Sequence, residues 1–388
     1  MRELFIILLL LNFHSKVSSQ NIEKSIILKD ADTNLPIEDA TVLIFKTKQT
    51  FLSNSEGTVS FMLKGASNIQ IKHSSYPSVT IRSSSLTESI NVIFLKNNLV
   101  ELDDIVVTRQ HPQKVLRNLV ENSMEKLTMP ARLKVYSREF FKLDGEYSYF
   151  NDGLVNFQIS GKTKDFDTKI LVEQNRSYGL VKEEISDELL GYNLNNIMEN
   201  YYNFKYLKPI LDPKAKKEYD FLIKECAGNP AYYMMTVSPL KESKGLKDDF
   251  VIIYDYKKEL IIETSSMLSL ATLEKNPEKT AKGSKNIQKS LYKTIYRVDG
   301  ANYYLLSSKE EIGYERVGNE KNTQIEVNNV FVTTNFSNQN YTYKENQVYT
   351  DKTLFNKKNA ILTSYWNVSG LTATDKEKEI INSIAGRQ

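Results

Sequence analysis

Residues 250–263 read FVIIYDYKKELIIE, two apolar runs joined by the charged segment Lys257-Lys258-Glu259. β-Branched and aromatic residues fill both runs, and such residues fit the pleated, half-buried surface of a sheet. The connection between the runs is short, so the stretch predicts an antiparallel hairpin with a charged tip.

Similar strand patterns recur on both sides of this hairpin, and most of them alternate apolar with polar residues. We predict further strands of the C-terminal region at residues 133–143, 147–150, 154–159, 169–172, 219–225, 232–237, 291–298, 303–308 and 324–335. The sequence Asn151-Asp152-Gly153 predicts a turn between two of them, because glycine accepts the positive φ that a tight hairpin needs. Helical patterns appear at residues 113–127, 187–202 and 374–384.

Composition restricts the class of protein. The chain has 388 residues, of which 40% are hydrophobic and 26% charged, as in ordinary globular proteins. Its 51 basic and 48 acidic residues leave a net charge of +3, which predicts no nucleic-acid partner. The 23 Tyr and 17 Phe, against one Trp, favour a mainly β fold with minor α structure.

The N-terminus predicts export. Arg2 precedes an apolar run at residues 4–11, and small residues follow at 17–19, as in a secretory signal peptide cleaved after Ser19. The run is shorter than the roughly 20 residues that cross a bilayer, so we expect no transmembrane span in the mature chain. These features predict a location in the periplasm or at the cell surface. Since Cys226 is the only cysteine, no internal disulfide is expected, and we predict a buried structural thiol.

The region from residue 22 to residue 98 reads as short strands separated by turns, which predicts an antiparallel β-sandwich. Within it lie ILKD at residues 27–30, LPIEDATV at 35–42 and SNSEGTVSF at 53–61. This order resembles the carboxypeptidase-regulatory-like domain. The segment LVELDDIVVT at 99–108 is similar to the one that follows such domains in exported Bacteroidota proteins.

The resulting domain prediction has four parts. Residues 1–19 form the signal peptide, 22–98 the sandwich, 99–130 a linker with a connector helix, and 131–388 a large antiparallel β domain with a helical insertion. The last part is expected to be a curved, half-barrel-like sheet. Its hairpin at 250–263, with a Tyr-x-Asp tip, is similar to those of half-barrels of the bacterial lipoprotein-carrier type.

The chemistry of known enzyme classes is not visible in the sequence. Apart from His14, in the predicted signal peptide, the histidines are His73 and His111, and neither lies in a zinc-peptidase motif. Ser123-Met124-Glu125-Lys126 matches Ser-x-x-Lys but has none of the partner motifs of the hydrolases that use it. We therefore predict no catalytic residue, no metal site, no cofactor and no enzymatic activity.

Tyrosines are the candidate contact residues. Tyr232, Tyr254, Tyr256 and Tyr303 lie on predicted strands or at a hairpin tip, and tyrosine offers both an apolar ring and a hydroxyl to a ligand or partner. The alternative interpretation is that such tyrosines pack the core.

Three functional hypotheses follow. The first is a non-enzymatic exported cell-envelope protein, in which the sandwich is an accessory module and the C-terminal β domain has a binding or structural role. The second is a periplasmic half-barrel that binds a lipid or another apolar ligand. The third is a cryptic hydrolase. The expected partner is an unidentified envelope protein or an apolar ligand.

Overall fold

The computed structural model describes residues 21–97, 105–163, 165–179, 194, 197–226, 229–273, 278–280, 283–318, 321–339, 341–351, 354 and 370–387. For residues 278–280, 283 and 284 it describes the backbone alone. The predicted signal peptide at 1–19 and most of the predicted helical insertion lie outside these ranges.

Seven strands near the N-terminus form a two-sheet sandwich. They are β1 Asn21–Asp30, β2 Thr41–Ile44, β3 Gln49–Leu52, β4 Thr58–Lys64, β5 Asn68–His73, β6 Tyr76–Arg82 and β7 Ile90–Leu95. The sheet orders are β4-β1-β7 and β3-β2-β5-β6. The predicted sandwich is confirmed, but β1 and β7 run parallel, which the expectation of a purely antiparallel sandwich missed. Its core is apolar and includes Ile26, Leu28, Val42 and Phe61.

Eleven strands of the described chain form one large sheet. They are β8 Ala131–Leu143, β9 Glu146–Lys162, β10 Asp165–Gly179, β11 Tyr219–Glu225, β12 Tyr232–Pro239, β13 Asp248–Asp255, β14 Leu260–Leu268, β15 Glu278–Thr280, β16 Gly283–Asp299, β17 Asn302–Val317 and β18 Asn322–Ser337. The order is β10-β9-β8-β18-β17-β16-β14-β13-β12-β11, and the short β15 pairs with β16. All pairs are antiparallel, and the curved sheet does not close. The hairpin predicted at 250–263 is β13 and β14.

Helices cover one face of this sheet, here called the inner face. These helices are α1 Pro112–Lys126, α2 Ile197–Tyr202 and α3 Lys208–Leu211, and a fourth helix, α4 Asp375–Ala385, lies on the other face. Apolar residues of α1 and α2, such as Leu116, Leu119 and Tyr202, join Phe157 and Ile252 of the sheet in the largest core cluster. Helix α1 is amphipathic, as its sequence predicts, so its apolar residues are buried here.

The sandwich and α4 lie against the opposite face, here called the outer face. Leu52 of β3 makes a parallel bridge with Leu371, and Ile381 and Ile384 of α4 pack with Phe140 and Phe150. Both faces of the large sheet are therefore buried over much of its area.

The prediction of a turn at Asn151-Asp152-Gly153 is wrong. These residues lie in the middle of β9, and the turn before β9 is Asp144-Gly145, where φ is +52° and +84°. The Asp152 side chain is fully buried and accepts bonds from Arg176 Nε at 2.7 Å, Arg176 Nη2 at 2.8 Å and the Tyr136 hydroxyl at 2.9 Å. Asp152 is thus a buried ion-pair partner. Burial raises the pKa of its carboxyl, and the bonds from Arg176 oppose that rise.

We expect Asp152→Asn to lower the free energy of unfolding by about 3–5 kcal/mol, because it leaves the Arg176 guanidinium without its anion. Urea denaturation measures the loss. Asp167→Asn is the matched control, since Asp167 forms an exposed ion pair with Lys169 and should change stability by no more than about 1 kcal/mol. Equal effects of the two substitutions would contradict a structural role for the buried pair.

Candidate functional site

Two neighbouring cavities, among those that the sandwich and the large sheet line together, lie where Asp39 of the sandwich meets β16 of the sheet. Boundaries between packed bodies are a common position for ligand sites. The first, the Arg138 cavity, has a volume of about 310 Å³. Its walls include Asp39 and Asn54 of the sandwich, Arg138 and Val330 of the sheet, and Leu371 and Glu377 of the C-terminal segment.

The second cavity, the Arg297 cavity, has a volume of about 260 Å³. Its walls include Lys72 and His73 of the sandwich and Tyr232, Asp255, Arg297 and Leu306 of the sheet. The two cavities share Asp39 and Ile295 as lining residues, so they are neighbours at one interface.

An ion triad joins the two bodies where these cavities meet. Lys293 Nζ of β16 lies 2.9 Å from an Asp39 oxygen of the sandwich and 3.1 Å from a Glu263 oxygen of β14. Burial lowers the pKa of Lys293, but Glu263 and Asp39 outweigh it and hold the pKa above its ordinary value. Asp39 has a φ of +62°, a conformation that non-glycine residues rarely adopt. This unusual backbone conformation lies at the interface between the sandwich and the sheet.

Near the Arg138 cavity, residues 370–374 attach the segment that leads into α4 to the sandwich. Leu52 N donates to the Gly370 carbonyl at 3.2 Å, Asn54 Nδ2 donates to the Thr372 carbonyl at 3.1 Å, and Ser60 N donates to Thr372 Oγ1 at 2.8 Å. Gly370 has a φ of +72°, and a Cβ there would lie 2.4 Å from the Tyr136 Cβ, so only glycine fits. We call residues 370–374 the C-terminal clasp.

His73 lies at the Arg297 cavity, but its surroundings are occupied. Its Nδ1 accepts a bond from the Ser75 N–H at 3.0 Å, and its ring packs edge-on against Tyr76. Burial lowers the pKa of His73 despite the nearby Glu263. Glu263 and Asp39 are both bound to Lys293. Within the part of the chain that the structure describes, no group of three or more His, Cys, Asp or Glu residues is arranged to hold a metal.

His111 and Cys226 lie elsewhere. His111 caps α1, its Nδ1 accepting from Gln113 N at 3.1 Å. Cys226 is half-buried rather than buried, just after β11, and its Sγ lies 3.6 Å from the Ser74 carbonyl oxygen of the sandwich.

The four predicted contact tyrosines separate in the structure. Tyr254 and Tyr303 are buried in the inner-face core, where the Tyr303 hydroxyl donates to the Ile261 carbonyl at 2.6 Å. Tyr256 is half-buried and stacks on Tyr233 with ring centroids 4.5 Å apart. Tyr232 lines the Arg297 cavity. A ligand contact by these residues stays a prediction, and only Tyr232 lies at a described cavity.

The predictions from the sequence did not include the charged residues that line the cavities. The pattern that could have found them is the alternation of side chains along β16. Lys293, Ile295 and Arg297 share one face of this strand, with Thr294 and Tyr296 on the other. Two cations four places apart on one face of a strand usually indicate a solvated face. Here the sandwich covers that face.

The inner face holds a buried carboxyl under a short helical segment. Residues 197–217, which contain α2 and α3, form this segment, and we call it the helical cover. Oε1 of Glu310, on β17, accepts hydrogen bonds from the Tyr201 hydroxyl at 2.7 Å and the Tyr206 hydroxyl at 2.8 Å. Burial raises the pKa of Glu310, and these two bonds oppose the rise.

Comparisons with known proteins assign no family. No family model matches the chain, and no curated protein matches it. The resemblance to carboxypeptidase-regulatory-like domains therefore stays a prediction. No helix in the described ranges is both long and apolar enough to cross a bilayer.

Several solved structures overlap with part of the chain. A DUF1329 family protein from Desulfovibrio piger is 11% identical over 58% of this chain and 93% of that chain, with a TM-score of 0.27. Lipovitellin, in a structure of its lipid–protein interactions, is 10% identical over 55% and 26%, with a TM-score of 0.24. MucB in complex with MucA(peri) is 9% identical over 58% and 98%, with a TM-score of 0.19. Likenesses this low assign neither ligand nor partner to this chain.

We expect Glu310→Gln to stabilise the protein near neutral pH. The raised pKa means that ionised Glu310 opposes folding; this cost is absent below the ordinary glutamate pKa of about 4.3 and complete above the raised value. Glutamine keeps an oxygen that can accept from both tyrosines. Urea denaturation between pH 4 and pH 8 should show a gain at high pH that shrinks towards pH 4. A pH-independent difference, or none, would show that Glu310 is not the titrating group.

Proposed function

We propose that this chain is an exported, non-enzymatic binding protein of the cell envelope, which holds a small ligand between its sandwich and its large sheet. The observation that carries the proposal is that the residues lining the Arg138 cavity come from three separate parts of the molecule. The sandwich, the sheet and the C-terminal clasp each contribute lining residues, so the cavity exists only when the three parts are joined.

The charges around the Arg138 cavity favour an uncharged ligand. Arg138 Nη2 lies 3.0 Å from a Glu377 oxygen, and Lys309 Nζ lies 3.0 Å from Glu38 and 3.1 Å from Glu311. The cations at this cavity are thus neutralised by acids. Apolar side chains such as Val330 and Leu371 complete the lining. Balanced polar walls with an apolar portion suit a small neutral molecule that has both polar and apolar parts.

The absence of catalysis is part of the proposal. General base catalysis needs a group with an available lone pair and a suitable pKa. The acids nearest His73 are bound to Lys293, and His73 Nδ1 already accepts the Ser75 N–H. These bonds support a binding role for the interface.

Native mass spectrometry of the full chain, purified from its own host, tests the proposal. We expect a non-covalent small molecule on the wild-type protein and its loss in Val330→Phe, because the larger side chain fills the Arg138 cavity. Val92→Phe is the matched control, since Val92 is exposed on β7, away from the cavity. An unliganded wild-type protein, or a ligand that Val330→Phe retains, would refute the proposal.

A second candidate function is binding of a lipid or another apolar ligand on the inner face. The observation that favours it is the attachment of the helical cover. The cover packs Tyr201, Tyr202 and Phe204 onto the inner face. Two of its hydrogen bonds to the sheet are accepted by the buried Glu310 carboxyl. Burial of a charge weakens that attachment, so the cover could move aside for an acyl chain.

The double variant Tyr201→Phe/Tyr206→Phe tests this candidate. It removes both bonds to Glu310 Oε1, and each bond to a charged group contributes about 1.5–3 kcal/mol. Uptake of a fluorescent long-chain fatty acid, followed by stopped flow, should become at least about tenfold faster. Tyr256→Phe is the control, because Tyr256 lies outside the cover and stacks on Tyr233. If neither the wild type nor the double variant takes up the probe, the inner face is a closed core.

A further inference from the structure

Arg297 is a cation at the sandwich–sheet interface for which the described residues supply no ion-pair partner. It is only 6% exposed, and its Nε has no hydrogen-bond partner. No described acid lies in ion-pair contact with its guanidinium, whereas Lys293, Lys309 and Arg138 on the same face all contact acids. A buried, unpaired guanidinium is costly, so its presence at a cavity indicates an anion that binds there.

Lys72 supplies a second cation from the opposite wall. It lies at the sandwich side of the Arg297 cavity, and its ammonium makes neither an ion pair nor a hydrogen bond with any residue of the described ranges. Burial and the nearby Arg297 lower the pKa of Lys72, and the exposed Asp299 does not compensate for them. The two bodies therefore each direct positive charge to one cavity.

The acids at this cavity are already in use. Asp39 and Glu263 bind Lys293. Asp255 Oδ1 accepts the backbone N–H groups of Lys257 at 3.0 Å and Lys258 at 2.9 Å, so it stabilises the turn between β13 and β14. None of these carboxylates contacts Arg297, and no acid of the described residues forms an ion pair with Arg297 or Lys72.

We infer that the Arg297 cavity binds the oxyanion of a small organic acid, either a carboxylate or a phosphate monoester. The inference rests on the proposed binding function and adds a second site to it. Arg297 offers two donors in the fork geometry that matches such oxyanions, and Lys72 adds a point charge from the sandwich. Tyr232, half-buried in the same wall, brings a hydroxyl, and Ile262 and Leu306 give the rest of the ligand an apolar surface.

Thermal unfolding and calorimetric titration of the mature chain test the site. The probes are sodium phosphate and sodium acetate, with sodium chloride at equal ionic strength as the reference. We expect a saturable rise of Tm with at least one oxyanion and none with chloride. A response to phosphate alone indicates a phosphate ester as ligand, and a response to acetate indicates a carboxylate.

Three variants identify the residues. Arg297→Met and Lys72→Met should each weaken binding of the responding anion at least about tenfold, whereas Arg82→Met, at an exposed arginine of the sandwich, should not change it. Arg297→Met should also have a higher Tm than the wild type in chloride, because it removes a buried charge without a partner. An arginine with a purely structural role would give the opposite shift.

Two results would overturn the inference: no saturable response to either oxyanion, or wild-type affinity in Arg297→Met. The Val330→Phe variant separates this site from the proposed function. It should bind the oxyanion like the wild type, because Val330 lines only the Arg138 cavity. If the wild type carries a small molecule that Val330→Phe loses but binds no oxyanion, the binding function stands and the anion site is refuted.

Discussion

Lys293 forms ion pairs with acids from two different parts of the molecule, and the packing of the sandwich on the outer face depends on these pairs. A lysine on a strand is ordinarily solvated, but the sandwich covers this one, and a covered charge needs a partner. Glu263 of the adjacent strand supplies one, and Asp39 of the sandwich supplies the other. The interface is therefore specified by charge positions as well as by apolar contact, which fixes where the sandwich lies on the sheet.

The two cavities on this covered face differ in whether their cations are paired with acids. At the Arg138 cavity each cation has an acid within reach, as Arg138 has Glu377. At the Arg297 cavity Asp39 and Glu263 bind Lys293 instead, and neither Arg297 nor Lys72 forms an ion pair within the described residues. A single layer of alternating residues, covered by one sandwich, thus pairs the cations of one cavity with acids and leaves two cations of the other without an ion pair among the described residues.

The sequence predicts the strands well and their surroundings poorly. Apolar runs on both sides of a charged tip predict the hairpin of β13 and β14, because local preference and tertiary structure agree there. At Asn151-Asp152-Gly153 they disagree: Arg176, 24 residues away, pairs with Asp152 and keeps the chain extended. The tyrosines are equally ambiguous, since Tyr232 and Tyr254 both lie in predicted strands, and only the folded structure places one at a cavity and the other in the core.

The C-terminal clasp sets the order in which the molecule can be completed. Asn54 and Thr372 are 318 residues apart in the sequence, so the bond between them closes a very long loop. A ribosome finishes the sandwich long before it reaches residue 370. Until then the Arg138 cavity lacks one of its three walls, and the newly made sandwich lacks its hydrogen bonds to the C-terminal clasp. The Arg138 cavity is consequently complete only after residues 370–374 have been made, and a chain that stops before them lacks part of its wall.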